Sequence, residues 1–337
     1  MVRKIKIFTG FIAIAITLFF SFDRLTTVSL PTKQDTVVIY STDGQDDLSQ
    51  VSIAAIRSAK KSISMSIYAL IDKGVVRALN DQAQNDIDLY LVCDPTASKS
   101  IFKRLDKKIH LVKREGKGLM HHKLIVIDKT LSVMSSANMT RGSLRSSGNL
   151  MVAVHDAKLA HYIDTKIRRM GKKNADVAPF PPRTFRLQQQ NLAFSFLPDD
   201  VEGIDKLLSM IYTAKKTIRV AMYAWTRRDL TEALIRAHQR GVEVEVAIDR
   251  SMAMGMAKKV VEQLKQGGIS PHLSEGDNLL HYKMMWVDDE HLLNGSANWT
   301  MAAFLKNDDY FMILSPLNES QQQKMEKIWK NILKNSS

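Results

Sequence analysis

Two segments of the chain carry the same reactive side chains at the same spacing: "HHKLIVID" at residues 121–128 and "HYKMMWVD" at residues 281–288. Each reads His, one residue, Lys, four residues, Asp. Residues two apart in a strand face the same side, so His121 projects with Lys123 and His281 with Lys283. The apolar runs that follow read as buried strands, and Asp128 and Asp288 fall where those strands turn. Further on, "SSANMT" (135–140) and "GSANWT" (295–300) supply Ser136 with Asn138 and Ser296 with Asn298. Each copy thus offers an imidazole, an ammonium, an amide and a hydroxyl. No carboxylate pair for Mg²⁺ or Ca²⁺ and no ligand cluster at zinc spacing accompanies them. Basic and amide donors converging on one pocket suit a phosphate with anionic oxygens. With an ordinary imidazole pKa near 6.5, one histidine can be neutral and attack while the other, protonated, serves the leaving oxygen.

The elements that must position these groups are themselves duplicated. "AKKSISMSIYAL" at 59–70 returns as "AKKTIRVAMYAW" at 214–225. Helical patterns precede both, "LSQVSIAAIRSA" and "IDKLLSMIYTA", and amphipathic stretches follow, "GVVRALNDQAQN" and "LTEALIRAHQRG". Apolar strands then end at Asp94 and Asp249. A shared order over so many elements marks a tandem duplication. Helices alternating with β-branched strands predict an α/β fold of two tandem domains, each a mixed sheet flanked by helices. If these pack about a pseudo-two-fold axis, the two histidines flank one phosphorus. The boundaries read as 35–176 and 191–337. Between them, residues 177–190 of "DVAPFPPRTFRLQQQN" read as a solvated Pro/Gln linker interrupted by Pro179, Pro181 and Pro182. Met325, Ile328, Trp329, Ile332 and Leu333 form one face of a C-terminal helix, expected to pack in the core. The lone cysteine, Cys93, reads as a small buried hydrophobe in "LYLVC", as Trp225 and Trp299 read as core.

The formal net charge of +13, from 48 Lys and Arg against 35 Asp and Glu, favours anionic partners. Residues 1–30 read as a signal peptide or signal anchor: Arg3, Lys4 and Lys6 precede an uncharged apolar run, Ile7 to Phe22, about 24 Å long as a helix. That predicts an exported protein, membrane-anchored or secreted. Asn138-Met-Thr140 and Asn298-Trp-Thr300 are formal glycosylation sequons inside the expected site, which fits a bacterial host better than a eukaryotic secretory one.

With "SSAN" and "GSAN" downstream, the two segments resemble the paired HKD motifs of the phospholipase D superfamily, and the resemblance runs from about Val37 to the C-terminal helix. It implies a metal-independent phosphodiesterase without cofactor, working through a covalent phosphohistidine, with the site between two copies packed as a pseudo-two-fold dimer. By match to the motifs, His121 and His281 are the nucleophile and the general acid. Lys123 and Lys283 clamp the phosphate, and Asn138 and Asn298 assist. Family habit favours His121 as nucleophile; the residues themselves do not decide it. Two departures stand out. Ser135 occupies the place of Gly295, and an acidic residue expected further on to orient the opposing histidine is present in "NDD" (Asn307 to Asp309) but absent from "NLM" (Asn149 to Met151). Asp309 is the expected orienter; Asp128, Asp288, Ser136 and Ser296 support the site.

The expected substrate is a phospholipid, acted on at an anionic membrane by a monomer that is an internal pseudo-dimer with no obligate protein partner. The Met-rich segment "SMAMGMAKK", read as a flexible apolar loop, suits acyl chains. One alternative is a non-specific endonuclease, for which Lys113, Arg114 and Lys117 form a basic track into His121. A second is an inactive protein that binds anionic membranes or nucleic acid.

Overall fold

In the computed structural model, which describes residues 28–171 and 178–337, the two copies fold into two mixed sheets of matching strand order. The N-terminal run read as a signal or anchor lies outside the described residues. Among the described residues no helix is long and apolar enough to cross a membrane. Residues 31–337 form one compact unit, and the buried apolar side chains of its core begin at Val37.

The first copy runs β1 (Val37–Ser41), α1 (Leu48–Arg57), β2 (Ser62–Ile67), α2 (Lys73–Gln84), β3 (Asp88–Cys93), β4 (His110–Lys113), β5 (Lys123–Ile127), β6 (Leu131–Ser135), α3 (Arg141–Arg145), β7 (Leu150–His155) and α4 (Ala157–Met170). The second runs β8 (Arg183–Leu187), β9 (Gln190–Leu197), α5 (Gly203–Thr213), β10 (Thr217–Met222), α6 (Arg228–Gln239), β11 (Glu243–Ile248), α7 (Arg250–Met254), α8 (Lys258–Gln266), β12 (His272–Leu273), β13 (Lys283–Val287), β14 (His291–Gly295), α9 (Met301–Leu305), β15 (Asp309–Ser315) and α10 (Glu319–Lys334). The sheets order as β1-β7-β6-β5-β2-β3-β4 and β12-β11-β10-β13-β14-β15-β9-β8. Read from opposite edges, these are one topology, with β8 added at the end of the second. The β2-β3-β4 and β10-β11-β12 pairings are parallel, reached through helical crossovers, and the remaining pairings are antiparallel.

One core fills the space between the sheets. Leu124, Val126 and Met134 belong to the same buried cluster as Met284, Trp286 and Leu292. Strand alternation explains the choice: on β5 these even positions face the partner sheet, while Lys123 and the residues in phase with it face the other way. Met325, Ile328, Trp329 and Ile332 of α10 are buried in that cluster, and Leu333 packs half-buried against it. The C-terminal helix also ties the copies together, through Gln321 Nε2 donating to the Val37 carbonyl at 3.3 Å and Lys324 pairing with Asp46 at 2.7 Å. Cys93 is buried and its thiol is pushed up to about 12, chiefly by burial.

Two readings of the sequence are corrected. Much of the expected linker is sheet: β8 pairs antiparallel with β9 from Arg183↔Phe194 to Leu187↔Gln190. Phe185 and Leu187 are buried, and Gln188 takes a left-handed φ of 53° at the turn. The glutamines form a hairpin rather than a tether. The Met-rich segment is also ordered. Asp249 caps α7 by accepting the Met252 N–H at 3.2 Å, and α8 follows, leaving Met254 and Met256 exposed.

The aspartates that close the motifs hold the fold at matched hairpins. Asp128 (φ 50°) accepts the N–H groups of Lys60, Lys61 and Ser62 at 2.8, 2.7 and 2.9 Å. Asp288 (φ 52°) accepts those of Lys215, Lys216 and Thr217 at 2.9, 2.7 and 3.0 Å. Burial acts to raise the Asp288 carboxyl, but these N–H groups hold it below its ordinary value. Its stabilisation is therefore complete above the unfolded carboxylate pKa and is lost as pH falls through the lowered folded value. Asp288→Ala is expected to destabilise the chain by about 1–3 kcal/mol, read as a lower melting temperature at pH 7. The difference from the parent should shrink in acid; a constant difference would assign the effect to something other than the charge.

Candidate active site

The mouths of β5 and β13 meet at the seam between the copies. Two cross-seam backbone bonds set the approach: the His121 N–H donates to the Asp308 carbonyl and the His281 N–H to the Gly148 carbonyl, each at 2.8 Å. Both histidines are nearly buried, and Lys123 and Lys283 are fully so. Each ammonium donates to the carbonyl of its own motif histidine, Lys123 at 2.6 Å and Lys283 at 2.8 Å. Each also lies over a tyrosine ring, Tyr68 and Tyr223 respectively, and the same rings pack against His121 and His281. Tyr68 and Tyr223 occupy equivalent places in the duplicated "YAL" and "YAW" and were not singled out from sequence.

Each imidazole is oriented by the opposite copy. Asp309 Oδ1 faces His121 Nδ1 at 2.8 Å, and Asn149 Oδ1 faces His281 Nδ1 at 3.0 Å. The motif serines stand behind these orienters. Ser296 Oγ donates to Asp309 Oδ1 at 2.6 Å, and Ser136 Oγ donates to Asn149 Oδ1 at 2.8 Å. Asn149 Nδ2 donates to the Ser143 carbonyl at 2.9 Å, which directs the amide oxygen at the imidazole. An amide oxygen accepts only, so with this orientation His281 carries its proton on Nδ1.

The expected pairing of "NDD" with "NLM" is therefore shifted by two residues. Asn149 corresponds to Asp309, not to Asn307, since each lies 13 residues beyond its serine. The acid missing from the first copy is replaced by an amide in the same place. Ser136 and Ser296 already donate to the orienters, which leaves their hydroxyl hydrogens unavailable to a phosphate. Nor does Ser135 obstruct the site: its hydroxyl accepts the Ala137 N–H at 2.9 Å. The equivalent Gly295 is required locally, because a Cβ there would lie 2.3 Å from the Tyr310 carbonyl oxygen.

Asn138 and Asn298 flank the pocket, both partly exposed. Asn298 Oδ1 accepts the Ala224 N–H at 3.3 Å, whereas Asn138 Oδ1 is buried without a partner among the described residues. Asp128 and Asp288 lie at the far ends of β5 and β13, about 16 Å from the strand mouths. Of the basic track, Arg114 is held by Asp308 at 3.3 Å and Lys117 is exposed.

The electrostatics are those of a buried cationic pocket. Burial, aided by Lys123, lowers the His121 pKa, and Asp309 opposes that shift. Burial and the fields of Lys283, Lys123 and His121 put His281 well below its ordinary value. Lys123 is brought down to about 7 by burial, against the pull of Asp309. Burial would raise the Asp309 carboxyl, yet His121 and Lys123 hold it at about 2. Burial and Lys123 put Lys283 well below its ordinary value, against the pull of Asp309 and Asp249, and a phosphodiester anion between the two lysines favours their charged forms. No cluster of His, Cys, Asp or Glu able to hold a metal occurs among the described residues.

Known proteins resemble this chain. A family model described as "Cardiolipin synthase, PLD-like domain" matches residues 52–171 and 207–332, one match in each copy. A mitochondrial cardiolipin hydrolase of Chlamydomonas reinhardtii is 26% identical over 144 residues, covering 42% of this chain and 63% of that protein. The chain thus spans somewhat less than two thirds of that relative. Cardiolipin synthase A of Wigglesworthia glossinidia brevipalpis is 25% identical over 341 residues, covering 86% of this chain and 66% of its own. The crystal structure of phosphatidylserine synthase from Haemophilus influenzae Rd KW20 superposes with a TM-score of 0.70 at 15% identity, covering 92% of this chain and 88% of that one. That likeness is one of fold.

Proposed function

Because the chain belongs to the phospholipase D-like family, matched over both of its copies, we propose that it cleaves a phospholipid phosphodiester through a phosphohistidine, without a metal. The observation that carries this reading is the crossed orientation of the histidines. With both Nδ1 atoms held by the opposite copy, both Nε2 atoms remain for one phosphorus between them. Neutral His121 attacks through Nε2 as His281, protonated where the bound phosphodiester anion offsets the lysine fields that lower its pKa, gives its Nε2 proton to the departing alcohol, so a P–N bond forms while a P–O bond breaks. His281, now neutral, takes a proton from water, which attacks phosphorus, breaks the P–N bond and releases phosphatidate. Lys123 and Lys283 turn from the histidine carbonyls to the phosphate oxygens, where they offset the charge that develops. A lipid hydroxyl in place of that water gives head-group transfer by the same two steps.

Relatives named for cardiolipin hydrolysis and for cardiolipin synthesis support a lipid substrate. Residues 31–337 in EDTA are expected to cleave vesicles of phosphatidylcholine or cardiolipin and to leave single-stranded DNA intact. Cleavage of DNA alone would make the chain a nuclease. Silence on all three substrates would favour the binding-only alternative.

A further inference from the structure

Apolar side chains normally exposed singly over a surface are here gathered around the site. Leu119 (45% exposed) and Leu279 (39%) hold the matched positions two residues before His121 and His281. Their carbonyls accept the N–H groups of Asp308 and Gly148 at 2.8 and 2.7 Å, beside the two orienting residues. Met301 (54%) and Leu305 (59%) lie one turn apart on α9, which begins three residues after Asn298. Asn307, two residues beyond Leu305, accepts the Leu119 N–H through Oδ1 at 3.0 Å, bringing these two rims together. Ile71 (43%) joins from the first copy: its N–H donates to the Met139 carbonyl at 2.8 Å, next to Asn138. These five residues, from both copies, each lie within a few residues of a motif or orienting residue, Ile71 through its bond to Met139.

Apart from Glu115, the exposed charge on the Leu119 and α9 side is positive. Exposed Lys73, Lys117 and Lys306 neighbour Ile71, Leu119 and Leu305, and Arg141 stands on α3 where Met301 stands on α9. The loop before Leu279 instead carries Glu275 and Asp277. Leucine and methionine tips set among lysines match a bilayer surface of anionic head groups, the tips entering the acyl boundary and the ammonium groups staying at phosphate level. Nucleic acid offers no apolar layer to such tips.

We infer that this rim seats the site on an anionic lipid surface through Leu119, Met301 and Leu305, with the Leu279 side of the mouth held further off by its acidic loop. The inference rests on the lipid reading above, but binding and turnover separate the two. Residues 31–337, free of the N-terminal apolar run, would be sedimented with vesicles of phosphatidylcholine containing cardiolipin and with phosphatidylcholine alone. Turnover would be measured in parallel on a short-chain phosphatidylglycerol kept below its micelle concentration.

Tighter binding to the anionic vesicles, weakened by salt, is expected. Met301→Ser/Leu305→Ser is expected to weaken vesicle binding on the order of 10- to 100-fold while leaving turnover of the monomeric lipid unchanged. Leu119→Ser reports the same effect from the other copy, independently of α9. Binding unchanged in both variants would overturn the inference, as would equal loss on monomeric and vesicular substrate. Rim-dependent vesicle binding with no turnover of any lipid would uphold the docking surface and remove the lipid-cleaving reading. Rim-dependent binding of single-stranded DNA without vesicle binding would overturn both.

Discussion

His281→Asn is expected to lower steady-state turnover by on the order of 10⁴-fold or more and still to form a covalent adduct. His121→Asn is expected to lose comparable activity and to form none. The difference follows from what stands behind each imidazole. Asp309 places a carboxylate on His121 Nδ1–H, which strengthens Nε2 as a nucleophile and stabilises the cationic phosphoimidazole. Asn149 places only a neutral oxygen behind His281, so the His281 imidazolium stays the more acidic of the two. With an activated aryl phosphodiester, whose leaving group needs no proton, His281→Asn would stop after the first step. Alkali-stable phosphoramidate on His121, detected by intact mass and peptide mapping, is the expected product. An adduct on His281 in the His121→Asn variant would reverse the assignment.

Exchanging the two orienters tests the same asymmetry without touching either histidine. Asp309→Asn removes the carboxylate from His121 and from Lys123, while Lys283 keeps the pull of Asp249; a loss on the order of 10²- to 10⁴-fold in kcat is expected. Asn149→Asp should act mainly on pH dependence. A carboxylate beside His281 raises its pKa, so the acid keeps its proton to higher pH and the alkaline limb of the rate profile moves upward. The added charge also makes His281 a weaker acid, which lowers the plateau rate for a poor leaving group more than for an aryl one. Equal effects on both leaving groups, with an unmoved alkaline limb, would reduce Asn149 to a packing residue.

Most of the reactive set was legible in the sequence, because strand geometry fixes what a His-x-Lys repeat can do. The motif aspartates were also legible as turn residues, since they fall where an apolar run ends and the chain must reverse. Of the two orienters, Asp309 was legible in "NDD" and Asn149 was not. Asn149 lies directly before β7 and Asp309 at the start of β15, and each acts across the seam, so no local spacing ties either one to the histidine it serves. The usable signal was the interval from serine to orienter, equal in the two copies, which aligns Asn149 with Asp309. Matching the asparagines by type hid it.

The linker was misread for a different reason. Phe185 and Leu187 alternate as an edge strand should, but three prolines before them and three glutamines after them are the composition of a tether. Only the pairing with β9 gives that short run a place.

Joining the copies in one polypeptide has an effect on descent that the crossed orienters make definite. In an assembly of two identical subunits, a substitution behind one histidine appears behind the other as well, and both must take the same role in turn. Here a codon change at position 149 leaves position 309 untouched. Fusion released the two histidines from equality, so selection can adjust attack and proton donation separately within one active site.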